Sequence, residues 1–353
     1  MRPVHHAMQG GGLLADRMAG VLLGTALGDA LGLPCEGMSP DRIRRRFGDL
    51  EGFGLCGSTG FVSDDTEQSA LVAQSLLRAR GAIDEAERRF GWSLVGWFLR
   101  LPWGIGFATL RACLKRLIGV RPSGVFSAGN GAAMRAAVIG VYFSGDEAAR
   151  RACGRKMAEV THRDARGVEG ALFVAELAAL ASRSAPDADR RELFAQARMV
   201  VRDPILGAAL DESRSMLSWG ATTEQAAAKL GTTGYVVHTV AFAAFCFLAD
   251  GFEPMTAIRQ TIWAGGDTDS IAAIVGAWMG ALHGESGLPA DLLAKLHDGP
   301  FGPTHLRALA RGLVDLLEGR MPVVPDYSAS GALARNLALY PVIIAHVLRR
   351  LIP

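Results

Sequence analysis

Two short acidic runs, Ser63-Asp64-Asp65-Thr66 and Gly265-Gly266-Asp267-Thr268-Asp269-Ser270, each lead straight into an apolar helical stretch. A fold that buries those helices must gather carboxylates at their starts. There the carboxylates repel one another and lose hydration, so they persist as anions only where something positive neutralises them. A single Ser, Asp or Thr at a helix start needs no such account, because one oxygen caps the helix and one carboxylate suits its dipole. Asp64-Asp65 and Asp267-x-Asp269 each commit two carboxylates where a cap needs one oxygen. Neither run contains His or Cys, and oxygen-only donors of this kind suit Mg²⁺, Mn²⁺ or Ca²⁺ rather than zinc.

The chain has the material for a sizeable core, with 353 residues of which 50% are hydrophobic. A net charge of +2 from interspersed signs gives no composition-level case for nucleic acid. The basic residues Arg42, Arg44, Arg45 and Arg46 read as a solvated helix face. Five cysteines, odd in number and without CxxC spacing, predict reduced thiols, a cytoplasmic location and no zinc site. Residues 1–12 lack an apolar segment followed by a small-residue cleavage site, so no secretory leader is expected, and Gly10-Gly11-Gly12 reads as a flexible lead-in. Residues 333–352 are strongly apolar but interrupted by Arg335, Asn336, Pro341, His346, Arg349 and Arg350. They read as a docking helix or partner surface, with a peripheral membrane anchor as the alternative, and not as a transmembrane segment.

Apolar residues at three- and four-residue spacing predict helices over 13–30, 66–80, 88–100, 132–143, 147–160, 166–182, 192–200, 204–218, 223–230, 235–249, 254–264, 270–282, 290–298 and 304–317. Alternating strand patterns are nearly absent and no fixed-period repeat stands out. The expected fold is all-α: one compact multi-helix domain over 13–320, a lead-in over 1–12 and a C-terminal appendage helix within 321–353. The longest irregular stretches, 48–62 and 119–131, precede the motifs, where ligand contacts tend to sit.

Four further signatures join the acidic runs. Gly24-Thr-Ala-Leu-Gly28-Asp29-Ala-Leu-Gly32 sets small residues at helical spacing and ends four residues later in a lone carboxylate, Glu36. Ser127-Ala-Gly129-Asn130-Gly131-Ala-Ala-Met134-Arg135 places a glycine-bracketed Asn before a predicted helix, whose backbone N–H groups would receive a phosphate. Thr161-His162-Arg163-Asp164 opens another helix, and Gly234-Tyr235-Val-Val-His238 opens the one that leads toward the second acidic run.

In this order, the motifs resemble the ADP-ribosylglycohydrolase family over residues 13–289. The resemblance implies an all-α fold with a binuclear Mg²⁺ or Mn²⁺ centre. It implies that Ser63, Asp64 and Asp65 serve one metal, that Asp267 and Ser270 serve the other, and that Asp269 bridges the two. It further implies that Ser127, Gly129, Asn130 and Gly131 line the diphosphate and distal ribose of ADP-ribose, with His162 and Tyr235 nearby, and that Glu36 reaches toward the metals. The chain departs from the family pattern at Pro102-Trp103-Gly104-Ile105-Gly106, where many members carry Asp in place of Gly104. The base would then be Glu36 or Asp64.

The activity implied is hydrolysis of the glycosidic bond between ADP-ribose and an acceptor such as a modified protein, through an oxocarbenium-like state. A hydrolase of a free ADP-ribose derivative, a catalytically weak binder, and a role against an ADP-ribosylating enzyme or toxin are the alternatives.

Overall fold

The structure is a computed structural model that describes residues 5–249 and 253–350. Its helices in chain order are α1 (His5–Gly32), α2 (Pro40–Phe47), α3 (Asp64–Arg78), α4 (Ile83–Phe98), α5 (Phe107–Leu117) and α6 (Ala137–Tyr142). Next come α7 (Glu147–Glu159), α8 (Ala165–Ser182), α9 (Arg190–Arg198), α10 (Pro204–Ser218), α11 (Thr223–Leu230) and α12 (Val236–Leu248). The last five are α13 (Pro254–Trp263), α14 (Thr268–His283), α15 (Ala290–Leu293), α16 (Pro303–Leu317) and α17 (Ala329–Arg350). Among the described residues there is no strand, as the expected all-α class requires.

The centre of the fold is the antiparallel crossing of α1 and α14. Gly20, Gly24, Gly28 and Gly32 recur every fourth residue, and a helix with glycine on one stripe lets a partner backbone approach without Cβ atoms between them. A Cβ on Gly24 would stand 2.0 Å from the Gly276 carbonyl oxygen, and one on Gly28 would stand 2.0 Å from that of Ala272. This crossing brings the C-terminal end of α1 against the N-terminal end of α14, where Thr268 Oγ1 donates to the Gly32 carbonyl at 2.8 Å. Around the pair pack α3, α8, α12 and α16. α14 is buried from Thr268 to Leu282, and its Trp278 Nε1 donates to Val174 O of α8 at 3.0 Å.

Several boundaries differ from the periodicity reading. α5 was not expected, because its pattern is inverted. Ala108, Thr109, Ala112, Cys113 and Arg116 face inward, while Phe107, Leu114 and Leu117 are exposed. Residues 132–143 form only the short α6, preceded by a 3₁₀ turn at Asn130–Ala132 that is tied by the Asn130 N–H to Gly234 O at 3.0 Å. The backbone of α1 starts at His5 and so includes the glycines read as a lead-in. Residues 1–4 and 351–353 lie outside the described residues.

Two helical stretches among the described residues, Gly12–Cys35 and Ala329–Leu348, are long and apolar enough to cross a membrane by length and composition. The first is buried inside the domain as its core helix. The second reaches that threshold despite its polar interruptions because Arg335 is the only charged residue in it. It docks on the domain through Ala332, Asn336, Leu339, Ile343 and His346.

Candidate active site

The two acidic runs, distant in sequence, meet. Ser270 Oγ donates to Asp65 Oδ2 at 3.3 Å, linking the start of α14 to the start of α3. The α3 start is held by a residue to which sequence reasoning gave no role, Asp29 of α1. Its carboxylate accepts from Ser63 N at 2.9 Å, Ser63 Oγ at 2.8 Å, Thr66 N at 3.1 Å and Thr66 Oγ1 at 2.5 Å. Asp29 therefore caps α3 from another helix. The signal was legible: a lone carboxylate in the apolar run Ala26-Leu-Gly-Asp-Ala-Leu31 must find donors when buried.

The α14 start is shaped by Gly265 (φ 73°) and Gly266 (φ 82°). A side chain at Gly266 would stand 2.2 Å from the Thr232 carbonyl, and one at Gly265 would stand 2.5 Å from that of Met38. This tight turn lets Gly37 N donate to Gly266 O at 2.7 Å, lets Gly266 N donate to Met38 O at 3.1 Å and lets Asp267 N donate to Thr232 O at 2.7 Å. The Glu36 loop and the second acidic run are thus laced together.

A cleft of about 550 Å³ opens over this junction, a size that suits a small-molecule ligand. Glu36, Asp64, Asp267, Asp269 and Ser270 line it, as do Ser127, Gly129, Asn130, Gly131 and His162, whereas Ser63 and Asp65 lie buried beneath. Tyr235 is absent from the lining. Its hydroxyl accepts from Arg166 Nη1 at 3.1 Å, and its backbone pairs with Gly129 from behind. The Asn130 amide nitrogen donates to Asp267 Oδ2 at 2.6 Å and to Thr239 Oγ1 at 3.1 Å. Ser127 Oγ accepts from Gly129 N at 3.2 Å. His162 is wedged under the glycine loop, where a Cβ at Gly131 would stand 2.9 Å from its Cε1. Burial, with Arg135 nearby, pushes its imidazole down to about 3, so the ring is neutral at physiological pH.

Arg135, the last residue of the Ser127–Arg135 motif, organises the cleft wall. Fully buried over the Phe90 ring, its guanidinium donates to Gln68 Oε1 at 2.7 Å, to Gly131 O at 2.5 Å and to Thr161 Oγ1 at 2.6 Å. Gln68 Nε2 in turn donates to Asp64 Oδ2 at 3.0 Å, and Thr161 Oγ1 meets His162 Nδ1 at 2.7 Å.

Burial, followed by repulsion from neighbouring carboxylates, pushes Asp64, Asp65 and Asp269 well above the usual carboxylate range. Burial also raises Asp267, opposed by hydrogen bonds from its neighbours, and it raises Asp29 to about 6 against four donated bonds. Such a site gains from a cation. Asp65 Oδ1 is buried without a hydrogen-bond partner, and every donor group is an oxygen, so the residues fit a hard divalent ion. Among the described residues no three such side chains already stand grouped as a ready cage, and Asp64 and Asp267 accept from Gln68 and Asn130.

Gly104 stands at the cleft edge with φ 82°, and a Cβ there would lie 2.7 Å from Asp64 Oδ1. An aspartate here would carry left-handed backbone strain, and the Asp64 carboxylate would have to shift to admit its Cβ.

The family model for ADP-ribosylglycohydrolase matches residues 12–322. The chain is 33% identical over 277 residues to an uncharacterized protein of Archaeoglobus fulgidus, covering 76% of this chain and 88% of that one. It is 28% identical over 293 residues to the ADP-ribosyl-[dinitrogen reductase] glycohydrolase of Rhodospirillum rubrum, covering 80% and 90% of the two chains. A solved structure titled ADP-ribosylglycohydrolase-related protein complex superposes with a TM-score of 0.68 at 28% identity, over 86% of this chain and 98% of that one. The chain belongs to the ADP-ribosylglycohydrolase family.

Proposed function

We propose that this protein is a divalent-metal-dependent hydrolase that releases ADP-ribose from a modified acceptor, with a protein as the acceptor. The observation that carries this reading is the meeting of the two acidic runs at one cleft, joined by the Ser270–Asp65 contact and roofed by the Ser127–Gly131 loop. The Rhodospirillum relative's name, which specifies an ADP-ribosylated protein as substrate, supports the choice of acceptor.

Ser63, Asp64, Asp65, Asp267, Asp269 and Ser270 would hold two Mg²⁺ or Mn²⁺ ions. When bound, such ions would hold ribose hydroxyls and lower the pKa of water. The chain's own residues do the rest. The Ser127–Gly131 loop holds the diphosphate and ribose, while neutral His162 supports that loop from below. Glu36, at the cleft wall and tied to the second acidic run through Gly37, takes the proton of the attacking water as the bond from the anomeric carbon to the acceptor breaks and that carbon develops positive charge. The proton passes to the departing acceptor atom. Asp64, oriented by Gln68, holds the reacting end of the ligand in place. Incubation with ADP-ribosylated arginine, serine and nucleic-acid ends in Mg²⁺ or Mn²⁺, scored for free ADP-ribose, tests the reading. Release from ADP-ribosylated arginine or serine is expected, and release from nucleic-acid ends alone would overturn the choice of a protein acceptor. Release from none, with folded protein and bound metal, would overturn it.

A further inference from the structure

The family match ends at residue 322, and α17 lies wholly beyond it. The buried stripe of α17 runs through Ala332, Asn336, Leu339, Ile343 and His346, at alternating four- and three-residue steps, so one face lies against the domain. Two of those five positions are polar, which a merely packed helix does not require, since a buried polar group is costly unless it is bonded. Both are bonded to backbone carbonyls of loops that reach the cleft. Asn336 Nδ2 donates to Arg100 O at 2.8 Å, and His346 Nε2 stands 2.8 Å from Pro34 O. A carbonyl only accepts, so Nε2 carries the proton. Pro34 precedes Glu36 by two residues, and Arg100 opens the short loop to Gly104, while Glu36 and Gly104 both line the cleft. The helix is further anchored by Arg335, which pairs with Glu67 on α3, the helix that begins with Asp64 and Asp65.

We propose that His346 and Asn336 are positioning residues for the cleft, and that α17 pins the Glu36 loop and the Gly104 loop at a fixed separation, which sets ligand affinity. The inference rests on the reading that this cleft holds ADP-ribose. The test uses the full chain with His346→Ala, Asn336→Ala, the double variant and His346→Gln, whose amide can donate to the same carbonyl. Three quantities are measured: hydrogen exchange of residues 33–37 and 100–106, the Kd for ADP-ribose, and KM and kcat on an ADP-ribosylated protein.

The double variant is expected to exchange faster in both loops and to raise Kd and KM together by about tenfold, with kcat changed less, while His346→Gln restores the values of the parent chain at the Pro34 side. If the double variant does not fold, the single variants carry the same readouts, each on its own loop. Unchanged exchange and Kd in folded variants would overturn the proposal, as would failure of the Gln variant to recover. A parent chain that binds no ADP-ribose would instead overturn the proposed function, and the exchange of the two loops would still decide whether α17 pins them.

Discussion

Ser270 Oγ donates to Asp65 Oδ2 at 3.3 Å, so the starts of α14 and α3 face each other across a contact between distant parts of the chain. Asp64, Asp65 and Asp269 crowd there, each pushed well above the usual carboxylate range by burial and then by its acidic neighbours. Asp269→Ala removes one of the mutually repelling charges. In cation-free buffer the variant is expected to melt at or above the temperature of the parent chain, while its turnover in Mn²⁺ falls by more than ~10²-fold. Calorimetry beside a rate assay checks both, and a large loss of stability without cations would count against the repulsion argument.

Asp29 receives four hydrogen bonds from Ser63 and Thr66, so its role is to fix the first turn of α3. Asp29→Ala leaves buried donors without a partner and is expected to cost about 3 kcal/mol in urea unfolding, the scale for hydrogen bonds to a buried charge. Asp29→Asn keeps the shape and part of the acceptor set, and should cost less. Equal stability of all three proteins would show that α3 starts without this cap.

The helical class and both acidic runs were legible because their signals are local: apolar spacing for α8, α12 and α14, and carboxylates set against apolar runs for the site. The Gly24–Gly276 contact was half legible. Four glycines at helical spacing announce a close approach, but only the fold says which helix arrives. α5 was not legible, since its inward face is built from Ala, Thr, Cys and Arg while its leucines face solvent. The bond from Asn130 to Asp267 and the hub at Arg135 were hidden for a related reason: long-range polar pairing leaves no periodic trace in the chain.

At Gly104 the backbone has φ 82°, and a Cβ would lie 2.7 Å from Asp64 Oδ1. Gly104→Asp therefore combines left-handed backbone strain with a carboxylate pressed on a carboxylate. The expected result is at least a tenfold loss of kcat/KM, about 1.4 kcal/mol or more of transition-state stabilisation. A gain in kcat would show that position 104 accepts a carboxylate base and that Glu36 does not serve.

His162 titrates near 3 in the fold because it is buried beside Arg135, whereas an unfolded histidine titrates near ~6.5. With the folded value depressed, its contribution to stability is complete above the unfolded value and is lost as pH falls below it. Comparing the parent chain with His162→Gln by urea unfolding isolates this group. From pH ~7.5 to ~5.5 the difference in unfolding free energy is expected to shift against the parent by about 1.4 kcal/mol. A pH-independent difference would mean that His162 takes a proton within the fold.

The most direct test of the central claim is release of ADP-ribose from an ADP-ribosylated protein by the metal-stripped chain, before and after Mg²⁺ or Mn²⁺ is restored, with bound Mn²⁺ counted in parallel. The account predicts negligible release in chelator, recovery on adding the ion, two ions bound per chain, and loss of both ions and activity in Asp269→Ala. Full release in chelator, or saturable ion binding that Asp269→Ala leaves untouched, would contradict it.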